Sequence, residues 1–243
     1  MLPFAYREKH MKPTIVLVHG AFAESASWNG VITRLLAAGY RTLAVGNPLR
    51  SLSGDAAAVA SLLATIEGPV VLAGHSYGGA VASNAAAGNE NVKALVYVAA
   101  LAPDRGENVP DLTGRFPGAT LGEHLHEVPL DDGTTDLYVR LEAYHEHFAA
   151  DVPAADAALA AATQRPANSA AFAEGSAEPA WKMVPSWFIS PERDRAIPLE
   201  SFRFMAERAN AREAVEVEGA SHALPMSQPQ AVADIILRAV DGV

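Results

Sequence analysis

The chain contains no cysteine, so covalent chemistry must come from hydroxyl, imidazole and carboxylate side chains. One serine is set where the backbone would activate it. Ser76 stands in VVLAGHSYGGA, flanked by Gly74 and Gly78, between a β-branched run and a run of small residues. This is the strand, sharp turn and helix of a nucleophile elbow. The turn projects the hydroxyl, and the two glycines let the helix pass close to the strand. The helix amino terminus adds partial positive charge where an oxyanion would form.

A hydroxyl attacks poorly without a base, and the base needs a carboxylate to fix its tautomer. His222, in AVEVEGASHALPMSQP, and Asp194, in PSWFISPERDRAIP, supply both downstream. Glu192 and Asp104 are the competing carboxylates. The reach of the loop after Ser190, anchored beyond by Ile197-Pro198, favours Asp194. An oxyanion also needs two donors. Ile15-Val16-Leu17-Val18 runs into His19-Gly20-Ala21-Phe22, a loop whose Ala21 N–H would pair with that of Tyr77; Phe22 is the donor if the loop is shifted by one residue. His19 is read as packing beneath this loop and holding it by a hydrogen bond. Phe22, Trp28, Tyr144 and Phe148 are the candidate substrate-binding aromatics, Trp28 with core packing as its alternative and the last two on one helical face.

To position these groups, the chain alternates short β-branched runs with helical periods, the pattern of parallel strands joined by crossover helices. Strands are predicted at residues 14–18, 41–45, 70–73, 93–99, 186–190 and 214–217. Buried helical stripes are expected from Trp28, Val31, Ile32, Leu35 and Leu36, from Val59, Leu62, Leu63 and Ile66, and from Val232, Ile235, Ile236, Ala239 and Val240. Residues 103–181 break the alternation and are too many for a plain loop. Within them EVPLDDGTTDLYV predicts a hairpin turning at Asp132-Gly133, and the segment from residue 141 reads as helix broken at Pro153 and ended before Pro166. The organisation expected is a core of residues 11–102 and 182–243, a cap of residues 103–181 over the carboxyl edge of the sheet, and an extension of residues 1–10.

With 243 residues and 50% hydrophobic content, the chain can bury one sizeable core. Its 18 Lys and Arg against 28 Asp and Glu give a formal charge of -10, which disfavours nucleic acid as a partner. No run approaches the roughly 20 apolar residues of a membrane helix, and MLPFAYREKHMKP lacks the apolar centre of a signal peptide. A cytoplasmic location without a membrane partner is therefore expected. His124, His126, His145 and His147 form H-L-H and H-E-H pairs, whose members point to different sides of a strand or helix. No metal and no cofactor are expected.

Taken together, HGAFAESASW, GHSYGG, ERDRAIP and GASHALPMSQP resemble the bacterial α/β-hydrolases of the esterase and lipase superfamily, and more distantly the plant methylesterases and hydroxynitrile lyases. The resemblance runs from about residue 13 to the C-terminus. It implies an α/β-hydrolase fold: a mostly parallel central sheet flanked by helices, with an inserted cap that selects substrate. It also implies a Ser76, Asp194, His222 triad and an oxyanion hole from Ala21 and Tyr77. Two departures stand out. Ser190-Pro191 replaces a glycine common before the acid, and the two leading strands of the full fold are missing or vestigial. Ala223 occupies the place where the lyase relatives carry a lysine, which disfavours a lyase.

Esterases, thioesterases and lactonases use the same groups, through a tetrahedral oxyanion and an acyl-enzyme. Hydrolysis of small to medium carboxylic esters is the expected reaction, because it demands least of the leaving group. A thioesterase, a lactonase or a receptor-like ligand-binding protein with little turnover are the alternatives.

Overall fold

The computed structural model describes residues 11–243, and the expected extension of residues 1–10 lies outside them. In chain order the described strands are β1 Thr14–Val18, β2 Thr42–Val45, β3 Val70–His75, β4 Val92–Val98, β5 Leu125–Pro129, β6 Thr135–Val139, β7 Ala167–Asn168, β8 Ser186–Pro191 and β9 Glu213–Val217. Six of them form a parallel sheet in the order β2-β1-β3-β4-β8-β9. These are the six expected strands, with ends moved by one or two residues. β3 runs on through Gly74 and His75, and β8 runs on through Pro191.

Every residue of β1 and β3 is buried, as a strand covered by helices on both faces must be. That is why TIVLV and VVLA read as unbroken apolar runs. Among the described residues β9 has a neighbour on one side only, and its EAVEV sequence alternates in exposure. The strand order reverses at β1, which lies between β2 and β3. Such a reversal opens a crevice beyond the carboxyl ends of the strands on either side, and the loop at residues 19–22 and Ser76 issue from these two ends.

The helices that matter here are α1 Asn29–Ala37, α2 Leu52–Leu63, α3 Tyr77–Ala85, α4 Val109–Thr113, α5 Leu141–Phe148, α6 Ala154–Thr163, α7 Ser169–Ala173, α8 Leu199–Arg208, α9 Leu224–Ser227 and α10 Pro229–Asp241. The stripe of α10 is buried at all five expected positions, and α10 packs against α1, β4 and β8. The stripe expected for α1 is narrower than the sequence suggested. Val31 and Leu35 are buried, but Leu36 is 54% exposed, because at 100° per residue it turns away from the side that Leu35 presents to the sheet.

Between β4 and β8 lies a second, antiparallel sheet in the order β5-β6-β7. The expected hairpin is its β5-β6 pair, with Gly133 at φ 83 in the turn and Asp132 accepting from the Thr134 N–H at 2.9 Å. β7 was not legible in the sequence: it is two residues long and pairs only with Asp136 and Leu137. Arg50, in the loop after β2, ties this sheet to the core by a 2.6 Å ion pair with Asp136 and a 3.0 Å hydrogen bond to the Pro166 carbonyl.

Candidate active site

At the end of β3, Ser76 adopts φ 53 and ψ -127, a conformation that a residue with a side chain seldom takes. The turn is tight on both sides. A Cβ on Gly74 would overlap the Gly78 carbonyl, and one on Gly78 would overlap the Val18 carbonyl, so only glycine lets α3 pass this close to β1 and β3.

His222 reaches this serine from the loop after β9. Its Nδ1–H donates to Asp194 Oδ2 at 2.6 Å, which leaves Nε2 to accept from the Ser76 hydroxyl at 2.8 Å. Asp194 is itself fixed: its Oδ1 accepts from the N–H groups of Ala196 at 2.7 Å and Ile197 at 2.9 Å. All three side chains are buried. The competing carboxylates lie elsewhere. Glu192 accepts from the Gly219 N–H at 2.8 Å, and Asp104 pairs with Lys182 Nζ at 2.6 Å.

The loop after β1 curls over the serine. Phe22 has φ 59, and its N–H donates to the Arg165 carbonyl at 3.2 Å, so this donor is already committed. The N–H groups of Ala21 and Tyr77 have no hydrogen-bond partner among the described residues. Both residues line the cavity that holds Ser76. His19 sits beneath the loop: its Nδ1–H donates to the Gly20 carbonyl at 2.8 Å, and its Nε2 accepts from the Asn47 N–H at 2.9 Å. Burial lowers its pKa to about 4. His75 is also neutral, pushed down to about 3 by burial and by the His222 ring beside it.

The cavity above Ser76 has a volume of about 410 Å3 and is walled mainly by apolar side chains. Of the four aromatics assigned to it from sequence, Phe22 and Phe148 line it, and Trp28 and Tyr144 do not. Trp28 lies fully buried in the short 3-10 turn before α1, its ring edge-on to His75 at 6.3 Å. Tyr144 points back into the loop after β1, where its hydroxyl donates to the Phe22 carbonyl at 2.9 Å. Phe172, Leu121, Leu125, Val109 and Ile197 also line the cavity. Ile197 was singled out in the sequence only as an anchor of the Asp194 loop, and no local signal marks the other four, each an ordinary apolar residue of a short element.

One contact joins the two histidine pairs. His124 and His147 stack ring on ring at 3.6 Å, and His145 bonds the Val152 carbonyl at 2.9 Å. Among the described residues, no three His, Asp or Glu side chains converge as a metal site requires. Among the same residues, no helix is long and apolar enough to cross a membrane.

A parallel sheet that presents a hydrogen-bonded Ser-His-Asp line at its strand-order reversal defines a class of protein, the hydrolases built on a doubly wound α/β core. Residues 15–235 match the alpha/beta hydrolase family, and the chain belongs to it. A pyrethroid hydrolase of Sphingobium wenxiniae is 29% identical, across 91% of this chain and 85% of that protein. Methylesterase 1 of Arabidopsis thaliana is 24% identical across 96% and 98%. Among solved structures, polyneuridine aldehyde esterase superposes with a TM-score of 0.80 at 21% identity, covering 94% of this chain and 99% of that one.

Proposed function

We propose that this protein is a serine hydrolase that cleaves neutral carboxylic esters of small to medium size through an acyl-enzyme. The observation that carries the reading is the unbroken line from Asp194 through His222 to Ser76, opening onto an apolar cavity beside two N–H groups without partners among the described residues. Ser76 Oγ attacks the ester carbonyl while His222 Nε2 takes its proton, and Asp194 stabilises the imidazolium. The Ala21 and Tyr77 N–H groups receive the oxyanion. His222 then protonates the departing alcohol and, in the second half, activates the water that releases the acid.

Residues 103–181 act as a cap that selects substrate, supplying Phe148, Phe172, Leu121 and Leu125 to the wall. Among the described residues no Lys or Arg lines the cavity, whereas Glu123 does. A free carboxylate on the substrate would find no cation to pair with, which is why neutral esters are favoured. The esterase names of two relatives support the same reaction class. A cytoplasmic location belongs to this reading, supported by a chain that has no cysteine to form a disulfide.

A chain-length series of p-nitrophenyl esters, run with the parent and with Ser76→Ala, tests the proposal. The parent should turn over short and medium acyl chains, and Ser76→Ala should lose about 10⁶-fold in kcat. Near-parental turnover by Ser76→Ala would remove Ser76 from its role. A parent inert toward every ester, thioester and lactone would leave a binding protein.

A further inference from the structure

The main chain around His222 is gripped at three consecutive residues. On one side, the Ser221 N–H donates to Asp151 Oδ1 at 3.1 Å, and the Ser221 hydroxyl donates to the same oxygen. In the middle, the His222 carbonyl accepts from His75 Nε2–H at 2.9 Å. On the other side, the Ala223 N–H donates to the Phe148 carbonyl at 3.0 Å. Two of the three grips come from the segment that closes α5 and leads to α6. The ring of Phe148 also meets the His222 ring edge-on at 4.9 Å.

We propose that Asp151 is a positioning residue, which holds the His222 loop through Ser221 so that the imidazole keeps its line between Asp194 and Ser76. The proposal rests on the hydrolase reading above. A histidine that shuttles a proton over 2.8 Å tolerates little displacement, and a misplacement on the order of 1 Å costs about 100-fold in rate. Among the described residues the imidazole hydrogen-bonds only to Asp194 and Ser76, and it packs against the Phe148 and His75 rings, so the hold on its main chain contributes to its position. Of the side-chain groups on that main chain, His75 is fixed by the elbow itself. Asp151 arrives from the cap, a separate stretch of chain. The cap thereby both walls the cavity and, through residues 148–151, sets the base.

Asp151 does not line the cavity, so its loss should act on kcat and leave KM nearly unchanged. Asn keeps an acceptor oxygen where Oδ1 stands, whereas Ala removes it. Asp151→Ala should therefore lower kcat for a p-nitrophenyl ester by about 10- to 100-fold, and Asp151→Asn should restore most of it. The rate at which a fluorophosphonate labels Ser76 should fall in parallel, because that reaction also needs an aligned His222. Ser221→Ala, which keeps the N–H bond and loses the hydroxyl, should lie between Asp151→Ala and the parent, and it provides the measurement if Asp151→Ala does not fold. Parental kcat and labelling rate in Asp151→Ala, or in Ser221→Ala where only that variant folds, would overturn the proposal. So would equal losses in Asp151→Ala and Asp151→Asn, or a loss confined to KM. If the parent labels with fluorophosphonate and hydrolyses no ester, the ester reading fails while the labelling rates still decide the role of Asp151.

Discussion

The hydroxyl of Tyr144 donates a 2.9 Å hydrogen bond to the main-chain carbonyl of Phe22, 122 residues earlier in the sequence. The Phe22 N–H meanwhile donates to the Arg165 carbonyl. Both main-chain polar groups of Phe22 are thus satisfied from the region between β4 and β8, and the left-handed turn they hold adjoins Ala21, which lines the cavity and whose N–H has no hydrogen-bond partner among the described residues. Replacing Tyr144 by Phe keeps the ring and strands a buried carbonyl, at a cost of about 1–3 kcal/mol. Denaturant unfolding should show that loss, and kcat should fall severalfold as the loop relaxes. Unchanged stability and turnover would mean that the bond does not hold the loop.

Asp194 orients its two oxygens differently. Oδ1 is taken by the Ala196 and Ile197 N–H groups, so in Asp194→Asn the side-chain oxygen would stay there and the Nδ2 donor would face His222 Nδ1. The imidazole would be driven into the wrong tautomer, with a proton on the nitrogen that should accept from Ser76. Turnover should fall on the order of 10⁴-fold. Glu192→Gln and Asp104→Asn, measured under the same conditions, should stay within a few fold of the parent. A severe loss in Asp104→Asn alone would move the acid to the loop after β4.

His19 and His75 are buried as neutral rings, their folded pKa values lowered to about 4 and about 3 by burial. In the unfolded chain each titrates near 6.5. Below that pH the unfolded state binds more protons than the folded one, so the stability these rings contribute is intact above about pH 6.5 and is lost as pH falls toward their folded values. The slope is about 1.4 kcal/mol per pH unit for each ring, or about 2 kcal/mol each between pH 6.5 and pH 5. Thermal unfolding should show Tm dropping across this interval, and His19→Gln should flatten the drop. A Tm independent of pH between 7 and 5 would show that neither ring is held neutral.

The elbow was legible in the sequence because its requirements are local. A strand that ends in a residue at positive φ and is followed at once by a helix needs glycine at fixed offsets, and Gly74 and Gly78 supply it within five residues. The parallel strands were legible because burial on both faces leaves unbroken β-branched runs, and the order of Ser76, Asp194 and His222 follows from where such strands end. The pocket was not. Tyr144 and Phe148 share a face of α5, yet one bonds the Phe22 carbonyl and the other lines the cavity. Trp28 has the composition of a pocket wall and the burial of a core residue. Phe172, Asp151 and the strand at Ala167–Asn168 carry no periodic signal at all. Periodicity records which side of an element is apolar, whereas what that side meets depends on how distant segments pack. The sequence by itself determined the sheet, the elbow and the order of the three polar groups. Only the tertiary structure decided which cap residues wall the cavity and which hold the two loops that flank Ser76.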